Sequence, residues 1–170
     1  MCTLGVANEV TYVAGLTYSR DSNTSKFAEV TRAAKSADAI IFVGGEESIL
    51  SGEAHCLSNL NLQGAQSELL ETLKKTGKPV VAVIMAGRPL TITDDIKNTD
   101  AILYMFHPGT MGGNALVNLV AGKVTPSGKL PASFPKNAGQ IPVYYNQNNT
   151  YGQQNYYAQS NGAVDADVAA

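Results

Sequence analysis

This chain of 170 residues has no tryptophan, and its charged residues, cysteines and histidines are few. Lys, Arg, Asp and Glu together make up 15% of it, and the formal net charge is −2 at pH 7. A protein that binds the phosphate backbone normally presents a basic face, so this composition argues against nucleic acid as a partner. Apolar runs stay well short of the ~20 residues that a membrane span needs. The first residues show no signal-peptide pattern, and no localisation is predicted.

The residues that bind metals or form disulfides are too few and too dispersed for either use. Cys2 and Cys56 form no disulfide framework and no CxxC metal motif. His55 and His107 are far apart, and neither has a second ligand at helical spacing, so we predict no metal site. The glycine-rich stretch 109–113 lacks the lysine of a P-loop and the spaced glycines of a dinucleotide-binding loop. We therefore predict no cofactor.

Three short apolar runs are typical of strands that are buried on both faces of a parallel sheet. They are Ala39–Val43, Val80–Met85 and Ala101–Phe106. A weaker strand is predicted at Val10–Val13. Each main run is bounded by turn or helical patterns, which is the arrangement of a layered domain.

Helical patterns occupy the intervals between the strands. Apolar residues recur at helical spacing in 25–35, 66–75 and 114–121. The alternation of strands and helices predicts an α/β fold: a three-layer sandwich with a mostly parallel sheet and helices on both faces.

The composition changes after Gly122. Four prolines, at 126, 131, 135 and 142, exclude a long helix from the segment 123–146. From residue 147 onward Asn, Gln, Tyr, Ala and Ser dominate, with no hydrophobic period. We therefore predict an α/β domain over residues 1–146, followed by a flexible polar tail over 147–170.

The loop 44–62 is the most promising place for a functional site. Ligands of an open parallel sheet bind beyond the carboxyl ends of the strands, and this loop is longer than the ~2–6 residues usual for such a connection. It carries Glu46, Glu47 and Glu53.

Glu53 is the main candidate because it stands between a glycine and an alanine, where no bulky neighbour shields its carboxylate. The alternative is an ordinary solvated loop acid. Glu46 follows two glycines at the strand end, where it could bind a ligand hydroxyl; a purely structural role is its alternative. The stretch 51–53 is not a nucleophile elbow, and no motif places either histidine in a serine-type triad.

Seven segments, taken in order, resemble the C-terminal α/β domain of glycoside hydrolase family 3, the β-glucosidase family. The resemblance covers residues 27–146. It rests on 33–45 (AAKSADAIIFVGG), 51–53 (SGE), 60–66 (LNLQGAQ), 78–90 (KPVVAVIMAGRPL), 101–115 (AIL…PGTMGGNA), 126–135 (PSGKLPASFP) and 140–145 (QIPVYY).

The resemblance implies that Glu53 is the general acid/base of a retaining β-glycosidase. Such enzymes use two carboxyl groups about 5–5.5 Å apart, one as acid/base and the other as nucleophile. In this family the nucleophile is an aspartate on a separate (β/α)8 barrel, a domain of ~250 residues that this chain cannot encode. We therefore expect the isolated chain to be inactive and to need a barrel domain, in cis or in trans.

Several positions depart from the family pattern. The pair that often follows the acid/base is Cys56 and Leu57 here, and the proline before the next helix is Gln63. The resemblance implies hydrolysis of a terminal β-linked glucoside or oligosaccharide. A non-catalytic domain that binds sugars or docks on a partner is the alternative. A flavodoxin-like nucleotide or flavin binder is a third hypothesis, based on fold analogy alone.

Overall fold

The computed structural model describes residues 9–144. The predicted tail over 147–170 lies outside the described residues. In the described part of the chain, three parallel strands form the sheet, in the order β1 (Ile40–Gly45), β2 (Val80–Met85) and β3 (Ala101–Tyr104). The predicted α/β fold with a parallel sheet is confirmed.

The strand predicted at Val10–Val13 is wrong. These residues are in no strand and pair with none of the strands between residues 9 and 144, and Val10 and Tyr12 are 88% and 86% exposed. Their β-branched and aromatic side chains favour a strand. A strand also needs a neighbouring strand to form its backbone hydrogen bonds, and the sequence pattern does not show whether one is present.

Within residues 9–144, four α-helices accompany the sheet: α1 (Phe27–Ser36), α2 (Gln66–Lys74), α3 (Thr93–Ile96) and α4 (Gly112–Val120). Helices α1, α2 and α4 occupy the segments whose periodicity predicts them. Helix α3 is a single turn, too short to produce a periodic pattern. No helix within residues 9–144 is long and apolar enough to cross a membrane.

The core lies between one face of the sheet and helices α1 and α2. Ile40 and Phe42 of β1 point into it with Val80, Ala82 and Ile84 of β2. The alternate residues of β1, Ile41 and Val43, are 48% and 54% exposed. The expectation that β1 is buried on both faces is therefore wrong for the described part of the chain.

The Pro- and Gly-rich segment packs at the end of β3. Its Phe134 ring lies 4.7 Å from the Tyr104 ring and 6.4 Å from the Phe106 ring, in edge-to-face geometry. Between residues 123 and 144 the helical structure is one 3-10 turn, Ala138–Gln140. Phe134 therefore anchors this segment against the end of β3.

Candidate active site

The loops that follow the three strands meet at one edge of the sheet because all three strands run in the same direction. The backbone N–H of Glu46 donates to the carbonyl of Met85 at 2.8 Å, and that of Met105 donates to Ile84 at 2.8 Å. These bonds extend the strand pairing into the loops. The side chains beyond them are therefore held in a common neighbourhood.

Gln66, the first residue of α2, fixes the end of β1. Its side chain accepts from the N–H of Gly45 at 2.7 Å and donates to the carbonyl of Gly45 at 2.9 Å. It also donates to the carbonyl of Ser19 at 2.7 Å. In the sequence, Gln66 stood out only as part of a family motif. In the structure its side chain connects α2, the end of β1 and the segment around Ser19.

Glu46 lies buried beside Arg88. Its side chain is 1% exposed, and the Nε of Arg88 donates to Glu46 Oε2 at 3.2 Å. The other carboxylate oxygen, Oε1, has no hydrogen-bond partner among residues 9–144. Contact between Glu46 and a sugar would require this pair to open, so the predicted substrate-binding role of Glu46 stays a prediction.

Tyr104 holds the backbone that carries Arg88. Its hydroxyl donates to the carbonyl of Arg88 at 2.6 Å and accepts from the N–H of Leu90 at 3.1 Å. Burial raises the pKa of Tyr104 to about 12, against a smaller lowering by the Leu90 bond. The hydroxyl therefore keeps its proton, and remains a donor, throughout the neutral pH range.

At Gly87 the three strand-end loops come close together. A Cβ atom there would lie 2.0 Å from the Ser51 hydroxyl oxygen and 2.9 Å from His107 Nε2. Sequence reasoning assigned no role to His107, because its neighbours come from distant segments. The Ser51 hydroxyl is buried and has no partner within the described residues.

Glu47 forms a separate ion pair. The Nε of Arg20 and the hydroxyl of Ser19 each donate to Glu47 Oε2 at 2.9 Å. The hydrogen bond from Arg20, followed by that from Ser19, lowers the pKa of the Glu47 carboxyl. Glu47 is therefore held in its charged form and is poorly suited to donate a proton.

Glu53 differs from the other two loop acids because it is exposed and forms no hydrogen bond or ion pair within the described part of the chain. The backbone turns sharply on both sides of it, with φ of +142° at Gly52 and +61° at Ala54. A positive φ at a residue with a side chain is strained. No three His, Cys, Asp or Glu residues of the described chain are grouped so as to hold a metal ion.

A family model for the glycosyl hydrolase family 3 C-terminal domain matches residues 3–163. The chain belongs to this family. The match extends on both sides of residues 27–146, where the sequence segments showed the resemblance, and includes most of the predicted tail. The segments that carry the strand-end loops of this glycosyl hydrolase family 3 domain all lie inside it.

Two curated relatives of this family 3 domain are glycosidases by name. A periplasmic β-glucosidase of Salmonella typhimurium is 46% identical over 122 residues, which is 72% of this chain and 16% of the relative. A β-xylosidase of Formosa agariphila is 43% identical over 119 residues, or 70% of this chain and 16% of the relative.

A solved structure shows the same fold. The β-glucosidase of Listeria innocua in complex with gluconolactone superposes with a TM-score of 0.73 at 36% identity, over 75% of this chain and 18% of that one. The family 3 domain thus spans about a sixth of the length of the two curated relatives.

Proposed function

We propose that this domain supplies the general acid/base, Glu53, of a retaining β-glycosidase that hydrolyses terminal β-linked glucosides. The nucleophile comes from a (β/α)8 barrel joined in cis or in trans. The proposal rests on the different environments of the three loop glutamates. Glu46 and Glu47 are ion-paired, whereas Glu53 is exposed and has no partner among the described residues. The names of the relatives support the reaction class.

In this mechanism Glu53 acts twice. It first donates a proton to the glycosidic oxygen while the barrel carboxylate attacks the anomeric carbon and forms a covalent glycosyl-enzyme. Its carboxylate then accepts a proton from the water that hydrolyses this intermediate. The first step needs a protonated carboxyl, which apolar cover or a neighbouring carboxylate favours. For the exposed Glu53, that cover has to come from the barrel and the bound sugar.

The proposal is tested with an aryl β-glucoside, on the chain alone and on the chain joined to its barrel. We expect no hydrolysis by the chain alone, because a retaining reaction needs both carboxylates. In the joined protein, Glu53→Gln should lower kcat/KM by about 10²–10⁴-fold for a substrate with a poor leaving group. Glu68→Gln, at an exposed position of α2, is the matched control and should have no effect.

Two outcomes contradict different parts of the proposal. Hydrolysis by the isolated chain that Glu53→Gln abolishes would show that the barrel is not needed. Full activity of Glu53→Gln in the joined protein would show that Glu53 is not the acid. An aryl β-xyloside, assayed in parallel, tests the sugar: we expect the glucoside to give the higher kcat/KM.

A non-catalytic domain that docks on a partner or binds sugar is the second candidate. The observation in its favour is the open face of β1, where Ile41 and Val43 are about half exposed. Calorimetry with glucose and cellobiose, together with a pull-down by an immobilised barrel protein, separates the candidates. Binding by both wild type and Glu53→Gln, with no hydrolysis in the joined protein, would favour this second function.

A further inference from the structure

We propose that Arg88 is a positioning residue that holds the Glu53 loop in place at the end of the sheet. The inference rests on the proposed role of Glu53. Arg88 lies in the loop after β2, far from Glu53 in the sequence. The parallel pairing of β1 and β2 brings this loop next to the loop that carries Glu53.

The guanidinium group of Arg88 connects the loop after β2 to the first half of the loop after β1 at two points. The Nε of Arg88 donates to the buried carboxylate of Glu46, directly after β1. The Nη2 of the same side chain donates to the carbonyl of Leu50, three positions before Glu53. The Arg88 side chain therefore spans the loop from its first residue to the turn that presents Glu53.

The loop has little structure of its own between these contacts. Its internal backbone hydrogen bonds are short-range: Leu50 N–H to Glu47 at 2.9 Å, Ser51 N–H to Ser48 at 3.1 Å and His55 N–H to Gly52 at 3.2 Å. Bonds of this range shape a turn locally, but they do not orient it relative to the sheet. The contact from Arg88 to Leu50 ties this turn to the sheet, next to the close approach of Gly87 to Ser51.

The backbone of Arg88 is held in place by Tyr104 of β3. Its carbonyl accepts from the Tyr104 hydroxyl at 2.6 Å, and the Tyr104 ring packs edge-on against Phe106 and Phe134 at centroid distances of 4.8 and 4.7 Å. A continuous set of contacts thus runs from the Pro- and Gly-rich segment through β3 and Arg88 to the Glu53 loop.

Arginine suits this position because its planar fork can serve two acceptors at once, whereas a lysine ammonium is a point charge without that geometry. The pair is also nearly closed to water: the Glu46 side chain is 1% exposed and the Arg88 side chain 23%. A buried carboxylate that loses its partner is strongly destabilised. Removal of the Arg88 charge should therefore displace Glu46 and the loop that follows it.

The first test measures the loop directly on the chain as it is. In hydrogen–deuterium exchange by mass spectrometry, Arg88→Met should speed exchange of peptides that cover residues 50–55, and Arg88→Lys should do so to a smaller extent. Arg32→Met, at an exposed position of α1, is the matched control. Glu46→Gln keeps the side-chain shape but removes the charge that holds the Arg88 guanidinium. It should also speed exchange over residues 50–55, and it serves as the test if Arg88→Met does not fold.

The second test separates positioning from general damage, and uses the chain joined to its barrel. Aryl β-glucosides with poor leaving groups need the proton from Glu53, whereas dinitrophenyl glucosides do not. A displacement of about 1 Å costs a catalytic group roughly 10²-fold. We therefore expect Arg88→Met to lower kcat/KM by about that factor for the poor leaving group, and by less than about 3-fold for the good one.

Each result decides a different point. Equal losses on both substrates, or unchanged exchange over residues 50–55, would overturn the proposal and leave Arg88 with a role in stability alone. If Glu53→Gln loses the same factor in kcat/KM on both substrates, the proposed function fails. The proposed effect of Arg88 on catalysis then fails as well. Faster exchange in Arg88→Met would then still show that Arg88 holds the loop.

Discussion

At the scale of single residues, one loop places three glutamates in three environments. Glu46 is buried against Arg88, Glu47 is paired with Arg20, and Glu53 faces solvent. Their chemistry as free amino acids is identical, so the difference arises wholly from which side chains the fold brings beside them. The candidate acid is thus selected by its surroundings rather than by its type.

Gly45 is the residue at which a side chain is least tolerable. Its φ is +131°, and a Cβ atom would lie 1.8 Å from the carbonyl oxygen of Met85. We expect Gly45→Ala to lower the free energy of unfolding by at least about 3 kcal/mol, because β1 and β2 must separate at the site. Urea unfolding followed by circular dichroism measures this loss.

The matched control is Gly113→Ala in the first turn of α4, where an added Cβ meets no atom within 4 Å. Alanine should change stability there by less than about 1 kcal/mol, and in the stabilising direction. Similar effects of the two substitutions would contradict the steric argument for Gly45.

Asp95 is expected to make stability depend on pH. It is 5% exposed, and burial raises its carboxyl pKa, with a partial lowering by the Ser67 hydrogen bond and a smaller raising by Asp94. Because the folded pKa lies above the ordinary value of 3.8, the contribution of Asp95 to stability is fully present below that value. It is lost as the pH rises through the folded pKa.

Asp95→Asn removes this titration and keeps an acceptor for the Ser67 hydroxyl. We expect the variant to have a higher Tm than the wild type at pH 7, and the difference to shrink as the pH approaches 3.8. Thermal unfolding across this pH range checks it. Asp94→Asn, at an exposed site, is the control and should show little change; a lower Tm of Asp95→Asn at pH 7 would refute the argument.

At the scale of elements, a side chain at the start of α2 determines how this helix meets β1. Gln66 bonds both backbone groups of the buried Gly45. Gln66→Met keeps the length of the side chain but leaves both groups unpaired, so we expect a loss of about 2–4 kcal/mol in unfolding free energy.

Chemical denaturation measures the Gln66→Met effect, and Gln63→Met is its matched control. Gln63 is half-buried and donates only to the loop carbonyls of Asn59 and Asn61. Its replacement should cost less than about 1 kcal/mol. Equal costs would mean that the Gly45 bonds contribute nothing specific.

At the scale of the whole molecule, the open face of β1 predicts association. Strand β1 pairs with β2 alone among the described strands, and Ile41 and Val43 are about half exposed on its uncovered face. An edge strand with apolar side chains readily pairs with another chain. We expect the isolated chain to self-associate as its concentration rises, or to bind its barrel through this face.

Sedimentation velocity over a concentration series tests this prediction. Val43→Lys should shift the population towards monomer, because it places a charge on the contact face. Val124→Lys is the control, since Val124 is 51% exposed in a different part of the chain. A wild-type chain that stays monomeric at high concentration would rule out self-association through β1.

The α/β fold, the positions of β1, β2 and β3 and of helices α1, α2 and α4, and the family could all be predicted from the sequence. Those features depend on the local hydrophobic pattern and on short segments that match the family. Both can be recognised without knowing any contact between distant parts of the chain. The length of the Glu53 loop and its glutamates marked it as a candidate site, and the family resemblance implied the acid/base role of Glu53.

The side chains that surround that loop could not be predicted from the sequence and are known from the folded chain. The pairing of Glu46 with Arg88, the approach of His107 and Ser51 at Gly87 and the bonds of Gln66 join segments far apart in the chain. The open face of β1 likewise depends on which elements cover it. Contacts between distant segments follow from strand order and register, and these form only when the sheet and its helices pack together.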